Sequence, residues 1–364
     1  MVALAPVLAS LPGVRGGRCP SADTVLSKSD SPPSDSLITR RSLLLAGGTG
    51  LLVAHPDGRA QPAATVRRVG WVSFGSKSSP AEAYAAFRQG MHDLGWLQGK
   101  NVEYQAVYAD GDASHLGAMA KELIRQRVDA IVVGNATTTR AMQRATSTIP
   151  IVMASVNNPV ASGFVASLAK PGGNITGITT QSEVVLGKLI AILHEISPRA
   201  RRIAFLLNES NPNEPVFWAA AQSACATLDL TALRIVANAK PEFGAAVGEI
   251  VRQDAQAVVV VADPLYLNER ASLQTLMQGI RLPVAYAWRE HVVAGGLLSY
   301  AADLAVTARH VATYVDKILK GTKPADLPVE QSNKFELVIN VGAAKALGLT
   351  ISQALLLRAD EVIQ

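Results

Sequence analysis

Two successive α/β lobes, each an open Rossmann-like parallel sheet wrapped by helices and joined to the other by hinge crossovers, are what this sequence predicts. Three observations carry the prediction. From Arg67 onward, short apolar runs alternate with longer stretches of helical period. The runs are rich in Val and Ile with little polar alternation, as parallel strands covered on both faces require. After residue 187 the same pattern starts again, so two sheets of similar size account for most of the chain.

The elements follow in order. A strand over 69–74 leads into a helix over 80–94 that stops at Gly95, a residue suited to a helix C-terminus. A strand at 102–108, a helix at 114–126, a strand at 130–133, a helix at 138–145 and a strand at 151–156 complete the first round. The second round runs helix 183–196, strand 202–207, helix 214–228, strand 233–236, helix 243–252, strand 257–262, helix 269–279 and strand 284–287. A helix over 304–319 and a strand over 335–340 exceed what the second sheet needs, so the chain is expected to return to the first lobe. The expected division is 66–178 plus 301–328 for lobe 1, and 179–300 plus 329–364 for lobe 2. Hinge crossovers are expected near 177–181, 297–301 and 327–331.

With 364 residues, 49% of them hydrophobic and 17% charged, the chain can bury a large core. Beyond residue 60 it carries 28 basic against 25 acidic side chains, and no basic stripe interleaved with aromatics, so nucleic acid is not an expected partner. Cys19 and Cys225 are the two cysteines. Cys19 falls in a segment expected to be removed, and Cys225 reads as a small packing residue in an apolar helix.

Residues 1–60 read as an export address. Thr39-Arg40-Arg41-Ser42-Leu43-Leu44-Leu45 places a twin arginine before an uncharged, glycine-containing run over 43–54, too short to span a bilayer. Gly58-Arg59-Ala60 supplies small residues for cleavage after Ala60, and the whole resembles a twin-arginine signal preceded by a disordered n-region. The mature protein is expected in the periplasm, soluble and monomeric.

The body also carries a set of longer motifs. They are Ala86-Phe87-Arg88-Gln89-Gly90-Met91-His92-Asp93-Leu94-Gly95-Trp96, Thr148-Ile149-Pro150-Ile151-Val152, the run from Leu168 through Lys170-Pro171-Gly172-Gly173-Asn174 to Gly177, and Ala294-Gly295-Gly296-Leu297-Leu298-Ser299-Tyr300. The tail adds Lys323-Pro324-Ala325-Asp326-Leu327-Pro328 and Lys334-Phe335-Glu336-Leu337-Val338-Ile339-Asn340. Together they resemble the ABC transporter substrate-binding family that includes tryptophan and tyrosine binders. The resemblance spans about Arg67 to the C-terminus. It implies a type I periplasmic binding fold, a small-molecule ligand such as an amino acid, and an ABC permease of the inner membrane as partner. In one departure, Asn157-Asn158-Pro159 stands where an acidic residue is expected before the proline.

Ligands of open α/β sheets sit at the carboxyl ends of the strands. In the first lobe these ends offer Ser73 and Gly75, the turn Asn135, Thr137 and Thr138, and then Ser155 and Asn157. The turn opens a helix, so it suits a carboxylate, although Thr138 also suits a cap. In the second lobe Asn208 and Asp263 end strands, Asp263 being the expected acceptor for a ligand ammonium. Tyr266, Tyr286 and Tyr300 are the expected apolar wall.

Enzyme chemistry finds no footing in the sequence. There is no Gly-x-Ser-x-Gly elbow, no phosphate-binding loop and no His-Glu-x-x-His, and the six histidines are scattered. No cofactor or metal is expected. The expectation is therefore a binding protein for import, with a ligand sensor of the same fold as the alternative.

Overall fold

The computed structural model describes residues 66–77 and 81–364. The export address and the cleavage position at Ala60 lie outside these residues.

Strand β1 (Arg67–Ser73) is followed by α1 (Ala81–Asp93), β2 (Val102–Tyr108), α2 (Leu116–Arg125), β3 (Ala130–Val133), α3 (Ala136–Ala145), β4 (Ile151–Val156) and β5 (Ile175–Thr179). Next come α4 (Ser182–Ile196), β6 (Arg202–Leu207), α5 (Glu214–Thr227), β7 (Thr231–Val236), α6 (Phe243–Arg252) and β8 (Ala257–Val260). The chain continues through α7 (Pro264–Asn268), α8 (Arg270–Ile280), β9 (Val284–Tyr286), α9 (Arg289–Val293) and β10 (Leu298–Ala302). It ends with α10 (Leu304–Leu319), β11 (Glu330–Gln331), β12 (Phe335–Asn340), α11 (Val341–Ala346), α12 (Gln353–Leu356) and β13 (Glu361–Ile363).

Two sheets result. The first has the order β11-β5-β4-β3-β1-β2 and its pairings are parallel. The second has the order β13-β12-β10-β9-β8-β6-β7, parallel except where β12 runs against β10. Side-chain alternation divides the first sheet's core into two layers. Val69, Trp71, Val132 and Val152 pack under α1 and α10 with Phe87, Met91 and Tyr314, while Val72, Ile131, Val133 and Met153 face the opposite layer with Leu123 and Met142. Burial on both faces is why these strands read as continuous Val and Ile runs.

Two glycines are required by close approach. A Cβ on Gly90 of α1 would stand 2.7 Å from the Arg309 carbonyl oxygen of α10, so the two helices can pack this tightly only without a side chain there. Gly177, at φ +132°, crosses a register shift between β4 and β5, and a Cβ would fall 2.2 Å from the Met153 carbonyl oxygen.

The chain passes between the sheets three times, after β5, between β10 and α10, and between β11 and β12. Strand ends put these passages at 180–181, 303 and 332–334, two to six residues beyond the lobe limits drawn from sequence, because β5, β10 and β11 each run on. The segment 297–301, expected as a crossover, is largely strand β10 inside the second sheet. Strand β5 and helix α7 were not foreseen, since a glycine interrupts the first and a proline opens the second. Among the described residues no helix is long and apolar enough to cross a membrane.

Candidate ligand cleft

Parallel strands all point the same way, so the loops after their carboxyl ends collect on one edge of each sheet. In this chain the two such edges border one cavity of about 70 Å³. The first sheet contributes Ser73 at the end of β1 with Phe74 and Gly75 after it, Gly134 and Asn135 after β3, and Ser155 near the end of β4. The second contributes Pro264, Leu267 and Asn268 from α7 and Trp288 after β9, while Leu304 opens α10 beside the returning chain. Trp71 forms part of the floor and is itself held by Tyr84 and Phe87, with ring centroids 5.1 and 5.3 Å away. The cavity is narrow, with room for a few waters.

Contacts bridge the two sides. The Ser76 backbone N–H donates to Asn268 Oδ1 at 3.2 Å, and Ser162 Oγ donates to Asn213 Oδ1 at 3.0 Å. Arg289 stands 3.9 Å from Glu82 of α1.

A larger cavity of about 300 Å³ lies elsewhere, lined by Met277, Val284, Leu297 and Leu347 with Arg281 exposed beside it. It touches the amino ends of β9 and β10, opposite the edge where the loops converge. The smaller cleft, not this cavity, has the geometry of an open-sheet ligand site.

Of the residues expected to bind ligand, Ser73, Gly75, Asn135 and Ser155 line the cleft. The others have different places. Asn135 Oδ1 accepts from the Thr138 N–H at 3.0 Å, and Thr138 Oγ1 accepts in return from the Asn135 N–H at 3.3 Å, a reciprocal cap that leaves Thr138 fully buried. Thr138 thus caps the helix, while Thr137 is half-buried beside it. Asn157 Oδ1 accepts from Thr180 Oγ1 and from the Ser182 N–H, each at 2.9 Å, which ties the end of β4 to the first passage between the sheets.

The expected ammonium acceptor is buried and bonded within the second lobe. Asp263 is 1% exposed, and its carboxylate accepts from Asn208 Nδ2 at 3.2 Å, Asn211 Nδ2 at 2.7 Å and the Leu265 N–H at 2.8 Å. It caps α7 from inside the lobe. Burial pushes its carboxyl above the usual range, against the pull of Asn211, Asn208 and the backbone donors. Asn208 belongs to this buried network and not to the cleft wall.

The three tyrosines expected as an apolar wall do not line this cavity. Tyr266 is fully buried against Phe243 and donates to the Ala237 carbonyl at 2.9 Å. Tyr286 is fully buried, stacked on His291 and bonded to Gln274 Oε1 at 2.5 Å. Tyr300 is half-buried next to Phe335. The aromatic side chains of the cleft are instead Phe74, Trp71 and Trp288. Trp288 carried one legible signal: it lies two residues beyond Tyr286, just outside the strand, on the edge where the loops converge.

Comparison with known proteins gives the family and the fold. The family model described as ABC transporter substrate binding protein matches residues 68–363. A tyrosine-binding protein of Clostridioides difficile (strain R20291) is 23% identical over 268 residues, 74% of this chain and 77% of its own. Among solved structures, an ABC domain from Streptococcus pneumonia in complex with L-Trp superposes with a TM-score of 0.77 at 24% identity, over 82% of this chain and 100% of that one. A conserved domain protein of Vibrio cholerae gives the same values. Likeness at this level shows the fold, and the fold is that of type I periplasmic binding proteins.

Proposed function

Because the chain belongs to the ABC transporter substrate-binding protein family, a family of binding proteins and not of enzymes, we propose that it captures a small solute bearing an aromatic ring between its two sheets. The observation that carries this reading is the cleft itself. Phe74 and Trp288 approach from opposite sheets, and hydroxyl and amide groups of Ser73, Ser155, Asn135 and Asn268 stand among them. Flat apolar walls favour a ring, and the few polar groups orient it. The relatives named for tyrosine and tryptophan support the same class of solute.

Capture proceeds by rotation of the two lobes about the passages at 180–181, 303 and 332–334. The open form admits the solute and the closed form presents both lobes to a permease. Residues 39–60 direct a monomeric protein to the periplasm by the twin-arginine route, and changing Arg40 and Arg41 to Lys stops its accumulation there.

A thermal-shift screen of aromatic, aliphatic and sugar solutes tests the central claim, since a ligand of the folded state raises the melting temperature. An aromatic solute should give the largest shift, and Trp288→Ala should remove most of it. A sugar or an aliphatic amino acid as the best ligand rejects the reading.

A further inference from the structure

We infer that the second lobe holds a second ligand site, the cavity between α8 and α11, and that it takes a small amphipathic acid whose apolar chain lies in the cavity and whose carboxylate meets Arg281. The inference goes beyond the aromatic reading of the cleft and does not depend on it.

The cavity measures about 300 Å³, at the lower end of the range that small-molecule sites occupy. Small residues keep it open. Gly295 turns at φ +104°, where a Cβ would stand 3.3 Å from Gln278 Nε2 and 3.8 Å from Gln274 Nε2, and Ala343 and Ala346 of α11 border the same volume. A packed interior leaves few holes larger than a water, so a space of this size is unusual inside one lobe.

The wall suits an apolar chain. Met277, Val284 and Leu297 are buried around the cavity, with Leu282 and Leu347 half-buried beside them. Tyr286 and Gln274 also line it, but they are bonded within the wall: Tyr286 OH donates to Gln274 Oε1 at 2.5 Å, and Gln274 Nε2 donates to the Gly295 carbonyl at 2.9 Å. A methylene chain can lie over such groups without breaking either bond.

The mouth carries the charge. Gln278, Arg281 and Ala346 are the exposed residues of the lining and mark where the cavity opens, and Arg281 is the charged side chain among them. Its backbone caps α8 in the left-handed region, at φ +53°, with its N–H on the Gln278 carbonyl, which holds this residue at the opening. The end of α8 contributes a partial negative charge of about half a unit, and the full charge of the guanidinium exceeds it. A carboxylate accepts two parallel N–H bonds from a guanidinium, whereas an ammonium head would be repelled.

Calorimetric titration of the purified protein at neutral pH and low salt tests this, with octanoate, hexanoate, octan-1-ol and octylamine as probes. Octanoate is expected to bind one per chain, and hexanoate roughly tenfold more weakly, because each methylene taken from water is worth about fourfold in affinity. The alcohol and the amine should bind about threefold to tenfold more weakly than octanoate, the range for an ion pair at an open mouth. Equal affinity for octanoate and the alcohol overturns the acid, equal affinity for the two acids overturns the buried chain, and no binding of octanoate overturns the site. Arg281→Gln should lower octanoate to the level of the alcohol and leave the alcohol unchanged; unchanged octanoate affinity overturns the role of Arg281. Ala343→Leu, or Ala346→Leu if the first variant does not fold, should abolish binding by filling the space, and a folded variant that binds as the parent does overturns the location. Trp288→Ala, in the cleft, should leave octanoate binding intact. Its loss there would put octanoate between the sheets and overturn the second site, while titration with an aromatic solute reads the cleft separately.

Discussion

Replacing Asp263 with Ala should damage the fold far more than the cleft. The carboxylate is buried and serves three donors, two side-chain amides and the Leu265 N–H that starts α7. A buried donor left without an acceptor costs about 1–3 kcal/mol. Three of them set an upper range that water entering the vacated space reduces, so the expected loss is about 3–5 kcal/mol, the size of other broken buried networks. For a body of this length that lowers the melting temperature by roughly 5–15 °C. Asp263→Asn keeps one acceptor oxygen and should fall between the parent and the Ala variant. Urea unfolding gives the stabilities, and titration with the aromatic ligand, at a temperature where the variant is folded, gives the affinity. The reasoning fails if Asp263→Ala unfolds within about 1 kcal/mol of the parent while its affinity drops a hundredfold, because the carboxylate would then be meeting ligand.

Other substitutions probe other parts of the argument. Gly177→Ala forces a Cβ to 2.2 Å from the Met153 carbonyl and should prevent accumulation of folded protein or cost at least about 4 kcal/mol; a parent-like urea midpoint refutes the close approach. Asn157→Ala removes two hydrogen bonds at the first passage, about 1–3 kcal/mol together. Hydrogen exchange at the Ser182 amide should quicken roughly fivefold to a hundredfold, and unchanged protection rejects the tie. The Glu336 carboxyl is pushed up to about 7, first by burial and then by the charge of Asp303, with Arg289 pulling the other way. The folded chain thus holds a proton that the unfolded chain releases near the ordinary value of 4.5, so this stability is present below that pH and is lost as pH rises to about 7. Glu336→Gln should flatten the stability profile across that window and exceed the parent above it; parallel profiles for parent and variant refute the assignment.

The sheets were legible in the sequence because parallel strands buried on both faces leave unbroken Val and Ile runs. Strands β3, β4, β6 and β12 and helices α6 and α10 fall where the periodicity puts them. Strands that depart from the pattern were harder to see: β5 contains Gly177, and β11 has two residues. The cleft was half legible. Position along the chain identifies which loops gather at the strand ends, and this found Ser73, Gly75, Asn135 and Ser155. It does not tell which way a side chain turns. Asp263 and Tyr266 sit on the correct loop, but the backbone donor two residues on and the apolar space under α6 claim them first. Trp288 and Asn268 were passed over because a Trp after a strand and an Asn in a short helix look ordinary without the second sheet opposite.

The return of the chain to its first sheet has a consequence for how the molecule is made. Trp96 Nε1 donates to Asp316 at 2.9 Å across 220 positions of sequence, and α10 covers a layer whose other residues were synthesised long before it. Until α10 emerges, Phe87, Met91 and Trp71 have no lid, and the apolar face of the first sheet is available to chaperones or to neighbouring chains. The second sheet waits less, since β6 through β10 lie within one stretch of sequence and await only β12 and β13. Slow closure of so distant a contact follows from the cost of bringing its ends together. A ribosome-bound chain ending before residue 304 should therefore gain protection from proteolysis in its second half while the first half stays digestible.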